Sequence, residues 1–250
     1  MTVVLAELTK LRSVASTAWS LLSAVCLIVG FGILYSTARA SHPPAAGSTF
    51  DAVAVSLAGV QAAHLAVGVL GVLVVTNEYA NGLIRTTLAA VPRRTPVLWG
   101  KAAVLGCVTF AVSLPAVLAA FLAGQSVLAA EHLDTSLTEP GVARAVVGGA
   151  GYLALVALLG LGLGTVVRHT AGGIAAVFGV LLGPQMLTGL LPTGLADDVY
   201  GWLPSPAGLA VTTVRPDSAL LPPWAGAAVF SLYIAIAMCA GAWCLRRRDA

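Results

Sequence analysis

Six long apolar runs recur along the chain, separated by short polar stretches. They cover residues 17–38, 52–76, 97–124, 144–167, 171–191 and 224–245. Each is long enough to cross a bilayer as a helix, which takes about 20 apolar residues. The runs are continuous rather than alternating, so they predict helices, which satisfy their own backbone groups in lipid. Ahead of them, residues 2–16 place Val4, Leu8, Leu11 and Ala15 on one helical face and Glu7, Lys10 and Arg12 elsewhere. That pattern predicts an amphipathic helix in the membrane interface with its charges toward water; the alternative is a simple lead-in to the first span. The expected fold class is all-α integral membrane, a single domain over residues 1–250. It has six transmembrane helices, an interface helix over residues 1–16 and a cytoplasmic helical elbow over residues 77–96.

The elbow is a polar, arginine-bearing interruption between two long apolar runs, reading NEYANGLIRTTLAAVPRRTPVLWGK over residues 77–101. Asn81 is expected to cap a short helix whose apolar positions Ile84, Leu88 and Val91 fall at i, i+4 and i+7. Pro92 ends it, because the residue before a proline is pushed out of the α region. Thr95 then caps the next helix, with Pro96 at its first position. Arg93 and Arg94 make a basic corner, and Lys101 rides on the helix that follows. The apolar stripe would face either a partner or the membrane. Arg85, Arg93 and Arg94 would pair with acidic groups on a partner or with lipid phosphates, and Glu78 with one of these arginines; for Arg93 and Arg94, holding the loop in the cytoplasm is reason enough to be there.

The remaining connections add detail. Pro115 lies inside the third run, where a kink is expected. Residues 125–143 form an acidic loop with Glu131, Asp134 and Glu139, and Arg168-His169-Thr170 is a very tight turn. Residues 192–223 form a proline-rich outer loop whose apolar run 207–214 is too short to span, which predicts a re-entrant or surface helix. Such a segment must be buried in protein or line a cavity.

Composition agrees with the pattern. Hydrophobic residues make up 58% and charged residues 9%, against about 25% charged in soluble domains. Cys26, Cys107, Cys239 and Cys244 lie in or at the end of apolar runs without metal-like spacing, and read as small packing residues. Charge placement orients the chain. With the N-terminus inside, Lys10, Arg12, Arg85, Arg93, Arg94, Lys101, Arg168, Arg246, Arg247 and Arg248 face the cytoplasm, leaving Arg39, Arg144 and Arg215 outside. Basic span flanks favour the cytoplasm, so both termini and the elbow face inward across the plasma membrane.

Catalytic and energy-converting motifs are missing from the sequence. There is no G-x-x-x-x-G-K-S/T; Gly100-Lys101 is followed by alanine and lacks the upstream glycine. No zinc-protease, nucleophile-elbow, paired-carboxylate or Cys/His ligand pattern occurs. No enzyme activity, metal, cofactor or nucleic-acid partner is expected of this chain. Within the spans, His64 and Gln61 are the polar residues of note, and without an acidic partner both read as packing and hydrogen-bonding residues rather than a proton path. Gly160/Gly164 and Gly179/Gly183 read as small faces for helix packing. A channel or non-ATP transporter would need more intramembrane polarity. A membrane scaffold or sensor that binds a cytoplasmic protein is the other alternative.

The series Glu78, Gly82, Arg85, Leu88, Pro92, Arg94 and Lys101 resembles the E…G-x-x-R-x-x-L-x-x-x-P-x-R…K signature of type-2 ATP-binding cassette exporter permeases. Glu7-Leu8-Thr9-Lys10-Leu11-Arg12, then Ser16-Thr17 and Trp19, is similar to the interface-helix start of the actinobacterial drug-export branch. The Arg168-His169-Thr170-Ala171 turn, leading to a span that ends near Pro184, looks like that family too. One departure is Leu83, where the family often has threonine. The resemblance implies a permease that pairs with a second copy or homologue and with a separate ATP-binding cassette ATPase. In that family the elbow is the coupling helix seated on the ATPase, ATP and Mg belong to that partner, and small helices between the last two spans cap the outer side. The cargo would be a hydrophobic or amphipathic compound moved outward.

Overall fold

The computed structural model describes residues 7–10, 15–42, 50–83, 94–215 and 219–247. Among them there is no strand, and five helices are long and apolar enough to cross a membrane. These are α1 (Ala15–Ala40), α3 (Ala58–Ala80), α4 (Arg94–Leu128), α5 (Val142–Val167) and α10 (Pro223–Arg247). Shorter helices fill the connections: α2 (Ala52–Ser56) before α3, then α6 (Thr170–Leu181), α7 (Gly183–Thr188), α8 (Thr193–Tyr200) and α9 (Pro204–Leu209) between α5 and α10. The chain is thus an all-α, multi-pass membrane protein.

The fifth apolar run forms a broken helix. Residues 171–191 are not one helix but α6 followed by α7, broken at Leu182. Pro184 has no N–H to donate back, and its ring collides with the carbonyl four residues earlier, so the first helix stops before it. Pro115, in contrast, is carried inside α4 without ending it.

The core centres on α3 and α5, which pack more extensively against each other than any other pair. Glycine sets their separation. A Cβ at Gly160 would stand 2.1 Å from the Gly68 carbonyl oxygen, and one at Gly71 would stand 2.0 Å from that of Ala157. The helices therefore touch backbone to backbone, as small residues permit in lipid. Gly164 packs in the same way on Val72, whereas Gly179 and Gly183 face open space within this chain. His64 is buried in this core against Tyr152, with ring centroids 6.3 Å apart, and Tyr152 stacks on Phe230 of α10. Gln61, one turn earlier on α3, is exposed on the bundle surface. Of the four cysteines, all free, only Cys244 is buried. Cys26, Cys107 and Cys239 lie on the outside of the bundle and do not serve as core packing.

One end of the bundle carries the connections after α1, α4 and α6. The segment after Leu203 is wedged inward there: Ser205, Ala207, Gly208 and Ala210 are buried, and Ser205 Oγ donates to the Leu181 carbonyl at 3.0 Å. Arg144 fastens its exit by donating to the carbonyls of Val211 and Thr213, both at 2.8 Å. The short apolar run expected to be buried in protein is so packed, against α5, α6 and α10. On the other side, Asp51 caps α2 by accepting from Val53 and Ala54 N–H. Gln125, buried on α4, donates to Ala52 O and Ser56 Oγ and accepts from Thr135 N–H. Gln125→Leu leaves the Thr135 N–H unpartnered, while Ala52 O keeps the Ser56 hydroxyl. The expected loss is about 1–3 kcal/mol of stability, measured as a lowered unfolding midpoint of the purified protein in SDS titration.

Candidate functional site

At the opposite end, which carries the elbow, α3 stops at an Asn-Gly pair. Asn81 is the C-cap of α3, its N–H bonded to Asn77 O at 3.0 Å, and Gly82 follows with φ +68. This corrects the expectation that Asn81 opens the next helix. Asparagine and glycine are helix stop residues as well as starters, and here they close the helix before. Residues 77–80 accordingly belong to α3 and not to the elbow. Residues 84–93 lie outside the described residues, and with them Ile84, Arg85, Leu88, Val91, Pro92 and Arg93. The chain re-enters at Arg94, the first residue of α4. Thr95 and Pro96 stand inside that first turn rather than ahead of it, where Pro96 still breaks no helical bond.

The two flanks of the elbow are joined by a buried ion cluster. Lys101 on α4 contacts Glu78 Oε1 on α3 and Glu7 Oε2 in the helical stretch 7–10, each at 2.6 Å. Lys10 contacts Glu7 Oε1 and Glu78 Oε1, each at 3.0 Å. The side chains of Lys101, Glu7 and Glu78 are 3%, 5% and 9% exposed, while Lys10 is 40% exposed. Partial burial works against the Lys10 ammonium, but hydrogen bonds and charge from Glu78 and Glu7 outweigh it and raise its pKa. Charges this deep persist only when paired and hydrogen-bonded.

Among the described residues Glu78 pairs with Lys101 and Lys10; Arg85 and Arg93 lie outside them. One expectation changes here. Glu7, placed by sequence on the water-facing side of an interface helix, is instead buried under Lys101. Glu7 and Lys10 were missed as site residues. Their one sequence mark is opposite charge at i and i+3 in a chain that otherwise avoids charge.

The last turn of α3 is held from other sides too. Thr76 Oγ1 accepts from Thr170 Oγ1 of α6 at 3.0 Å. The ring of Tyr79 lies 5.3 Å from the Arg168 guanidinium carbon. Arg168 occupies the left-handed region at φ 60 as the C-cap of α5, and its Nη2 donates to Cys244 O of α10 at 3.0 Å. His169 then caps α6, with Nδ1 accepting from Gly172 N–H. Residues 76–79 therefore touch the 7–10 stretch, α4, α5 and α6 within one helical turn, and reach α10 through Arg168. Among the described residues no group of His, Cys, Asp and Glu side chains has the geometry to hold a metal.

Five spanning helices, a glycine-tightened core and a charged elbow braced at both flanks define a polytopic membrane protein built around one loop. Residues 3–183, well over half the chain, match the model of the family described as ABC-2 family transporter protein, and the chain belongs to that family. No curated protein matches it at a significant level.

Proposed function

We propose that this chain is the permease subunit of an ATP-binding cassette exporter in the plasma membrane. A separate ATPase docks on the elbow, ATP and Mg reside on that partner, and a second permease copy or homologue completes the pathway. The cargo is a hydrophobic or amphipathic compound moved outward. Both termini and the elbow face the cytoplasm, supported by the placement of ten of the 13 basic residues on that side.

One observation carries the reading: the buried cluster that fixes Glu78 and Lys101 at the two flanks of the elbow. A loop pinned at its base transmits a push. With α3 and α4 tied together there, and α3 tied through Tyr79 and Arg168 toward α10, displacement of the elbow biases several spans at once. A partner shifts such an equilibrium only if it grips the two arrangements differently. Arg85, Arg93 and Arg94 supply cationic contacts for that grip.

The test is co-purification with a candidate ATPase followed by ATP hydrolysis in reconstituted vesicles. The expected result is a stable complex whose hydrolysis responds to amphipathic compounds, with Arg85→Glu reducing that response about tenfold, the loss of one charge-assisted contact of about 1.4 kcal/mol. Arg93→Cys, in a background without the four native cysteines, should react with impermeant thiol reagents from the cytoplasmic side. Labelling from outside, or failure of any ATPase to dock, overturns the reading.

A further inference from the structure

Two cavities line up at the end of the bundle where the segment after Leu203 is wedged inward. The first, of about 350 Å³, is bounded by Arg144 in the first turn of α5, by Thr213 and Arg215 after α9, and by Pro223 at the start of α10. The second, of about 140 Å³, is bounded by Gly148, Gly151 and Leu155 of α5 and by Ala227 and Phe230 of α10. Arg144, Gly148, Gly151 and Leu155 fall at i, i+4, i+7 and i+11, one face of a helix, and Pro223, Ala227 and Phe230 repeat that spacing on α10. The cavities therefore share one seam between α5 and α10. The smaller lies about one helical turn, roughly 6 Å, further into the bundle.

Their chemistry differs. Arg144, partly buried, donates from Nη1 and Nη2 to the carbonyls of Val211 and Thr213. That uses two of a guanidinium's five N–H groups and leaves the charge uncancelled, since carbonyls are neutral. Arg215 is exposed. Among the described residues neither arginine side chain forms an ion pair, and no residue of the cavity wall is acidic. Asp51 stands beside Arg215, with Oδ1 capping α2 and Oδ2 accepting from Arg215 N–H at 3.3 Å. Two positive charges against that one negative charge leave the place net positive. The starts of α5 and α10, both at this cavity, add partial positive charge. The second cavity presents hydrocarbon and almost no polar atom. At Gly151, half-buried on a spanning helix, an added Cβ has nothing within 4 Å, so the slot is open there.

A cationic cavity leading into a hydrocarbon slot, along one seam between two spanning helices, matches a molecule with an anionic head and an apolar tail. The bilayer itself supplies one. We propose that the seam between α5 and α10 binds an anionic phospholipid of the leaflet at this end. Its phosphate sits on Arg144 and Arg215, and one acyl chain enters the slot along Gly148 and Gly151. A headgroup of net negative charge is favoured over a zwitterionic one, whose own ammonium would face the same guanidiniums. Bound there, the lipid bridges α5, α10 and the segment that Arg144 fastens. The site needs neither ATPase nor nucleotide and does not rest on the exporter reading.

The full chain is reconstituted in phosphatidylcholine nanodiscs without ATPase or nucleotide and photolabelled with a trace of phosphatidylglycerol carrying a diazirine on one chain. Label on the peptide spanning residues 148–155 is read against the background on α1. Unlabelled phosphatidylglycerol is expected to displace it about tenfold more effectively than phosphatidylethanolamine of the same chains, the worth of one charge-assisted contact. Arg215→Gln, which keeps the backbone bond to Asp51, should remove most of that preference, and Arg215→Lys should retain most of it. Gly151→Leu, which fills the slot and leaves both arginines in place, should bring labelling down to background. Equal displacement by the two lipids, full preference in Arg215→Gln, or wild-type labelling of Gly151→Leu overturns the proposal. Asp217 lies outside the described residues, and its charge is tested directly: a preference that appears only in Asp217→Asn means a neutral cavity in the native chain and overturns the proposal too. Displacement by the chainless headgroup glycerophosphoglycerol as strong as by the whole lipid would reduce the site to one for phosphate, and equal displacement by oleate to one for any amphipathic anion. Either removes the phospholipid assignment.

Discussion

Lys101→Met is expected to be among the most damaging single substitutions in this chain, costing about 3–5 kcal/mol, the usual penalty for removing one partner of a buried ion pair. The methionine fills a similar volume, so the loss is electrostatic. Glu7 and Glu78 would face each other across a site from which water is largely excluded, with only the exposed Lys10 left to both. The cluster can relieve this by letting go of the 7–10 stretch, which frees the base of the elbow. Unfolding midpoints of the purified protein should fall, and co-purification of an ATPase should weaken in parallel. The triple change Lys101→Met, Glu7→Gln and Glu78→Gln discriminates the cause. Neutral groups of matched shape often replace a buried ion pair at little net cost, so stability should return most of the way while coupling stays low. Recovery of neither would mean that Lys101 acts through its shape and not its charge.

Much of this architecture is written in the sequence, and the reason is lipid. A bilayer forces continuous apolar runs into helices, so α1, α3, α4, α5 and α10 fall close to where the runs predict them. What the sequence does not reveal is which side of a helix faces in. Outside and inside are both apolar, so hydrophobicity does not separate the exposed Cys26, Cys107 and Cys239 from the buried Cys244. The informative residues are the small and the charged ones. Gly160 and Gly164 do mark the α3 contact, yet Gly179 and Gly183, with the same spacing, meet nothing in this chain. Spacing shows that a close approach is possible and not that a partner is there. The elbow divides in the same way. Glu78, Gly82 and Lys101 are legible as a group along the chain, but the closure of the cluster by Glu7 joins residues 94 positions apart, a distance local grammar does not reach. Asn81 was misassigned because a capping residue serves the helix on either side. Residues 171–191 read as one helix because their composition stays apolar through Pro184, where the backbone breaks.

Gly160→Val, a change that adds only hydrocarbon to a hydrocarbon core, is the second large effect expected. Already at Cβ the added group would stand 2.1 Å from the Gly68 carbonyl oxygen and 3.2 Å from Val72 N. Both obstacles are backbone, which does not rotate away as a flexible side chain would. Either α3 and α5 move apart along their shared length or α5 rotates, and each disrupts the companion contact of Gly71 with Ala157. Overpacking of this kind costs about 1–3 kcal/mol and occasionally more; two coupled backbone contacts place it at the upper end. The control is Gly151→Ala on the same helix, where an added Cβ has nothing within 4 Å. There the better helix propensity of alanine, about 1 kcal/mol over glycine, should leave stability unchanged or slightly higher. Opposite signs at two glycines of one helix, read from unfolding midpoints, would show that contact with α3 and not glycine itself is what matters. Because α3 also ends in the turn that bears Glu78 and Tyr79, separating it from α5 should loosen the Tyr79–Arg168 contact. In the ATPase complex, Gly160→Val is therefore expected to lower cargo-stimulated hydrolysis more than basal hydrolysis. Equal loss of both would place the α3–α5 contact in stability alone and remove it from the route by which the elbow reaches the far side of the bundle.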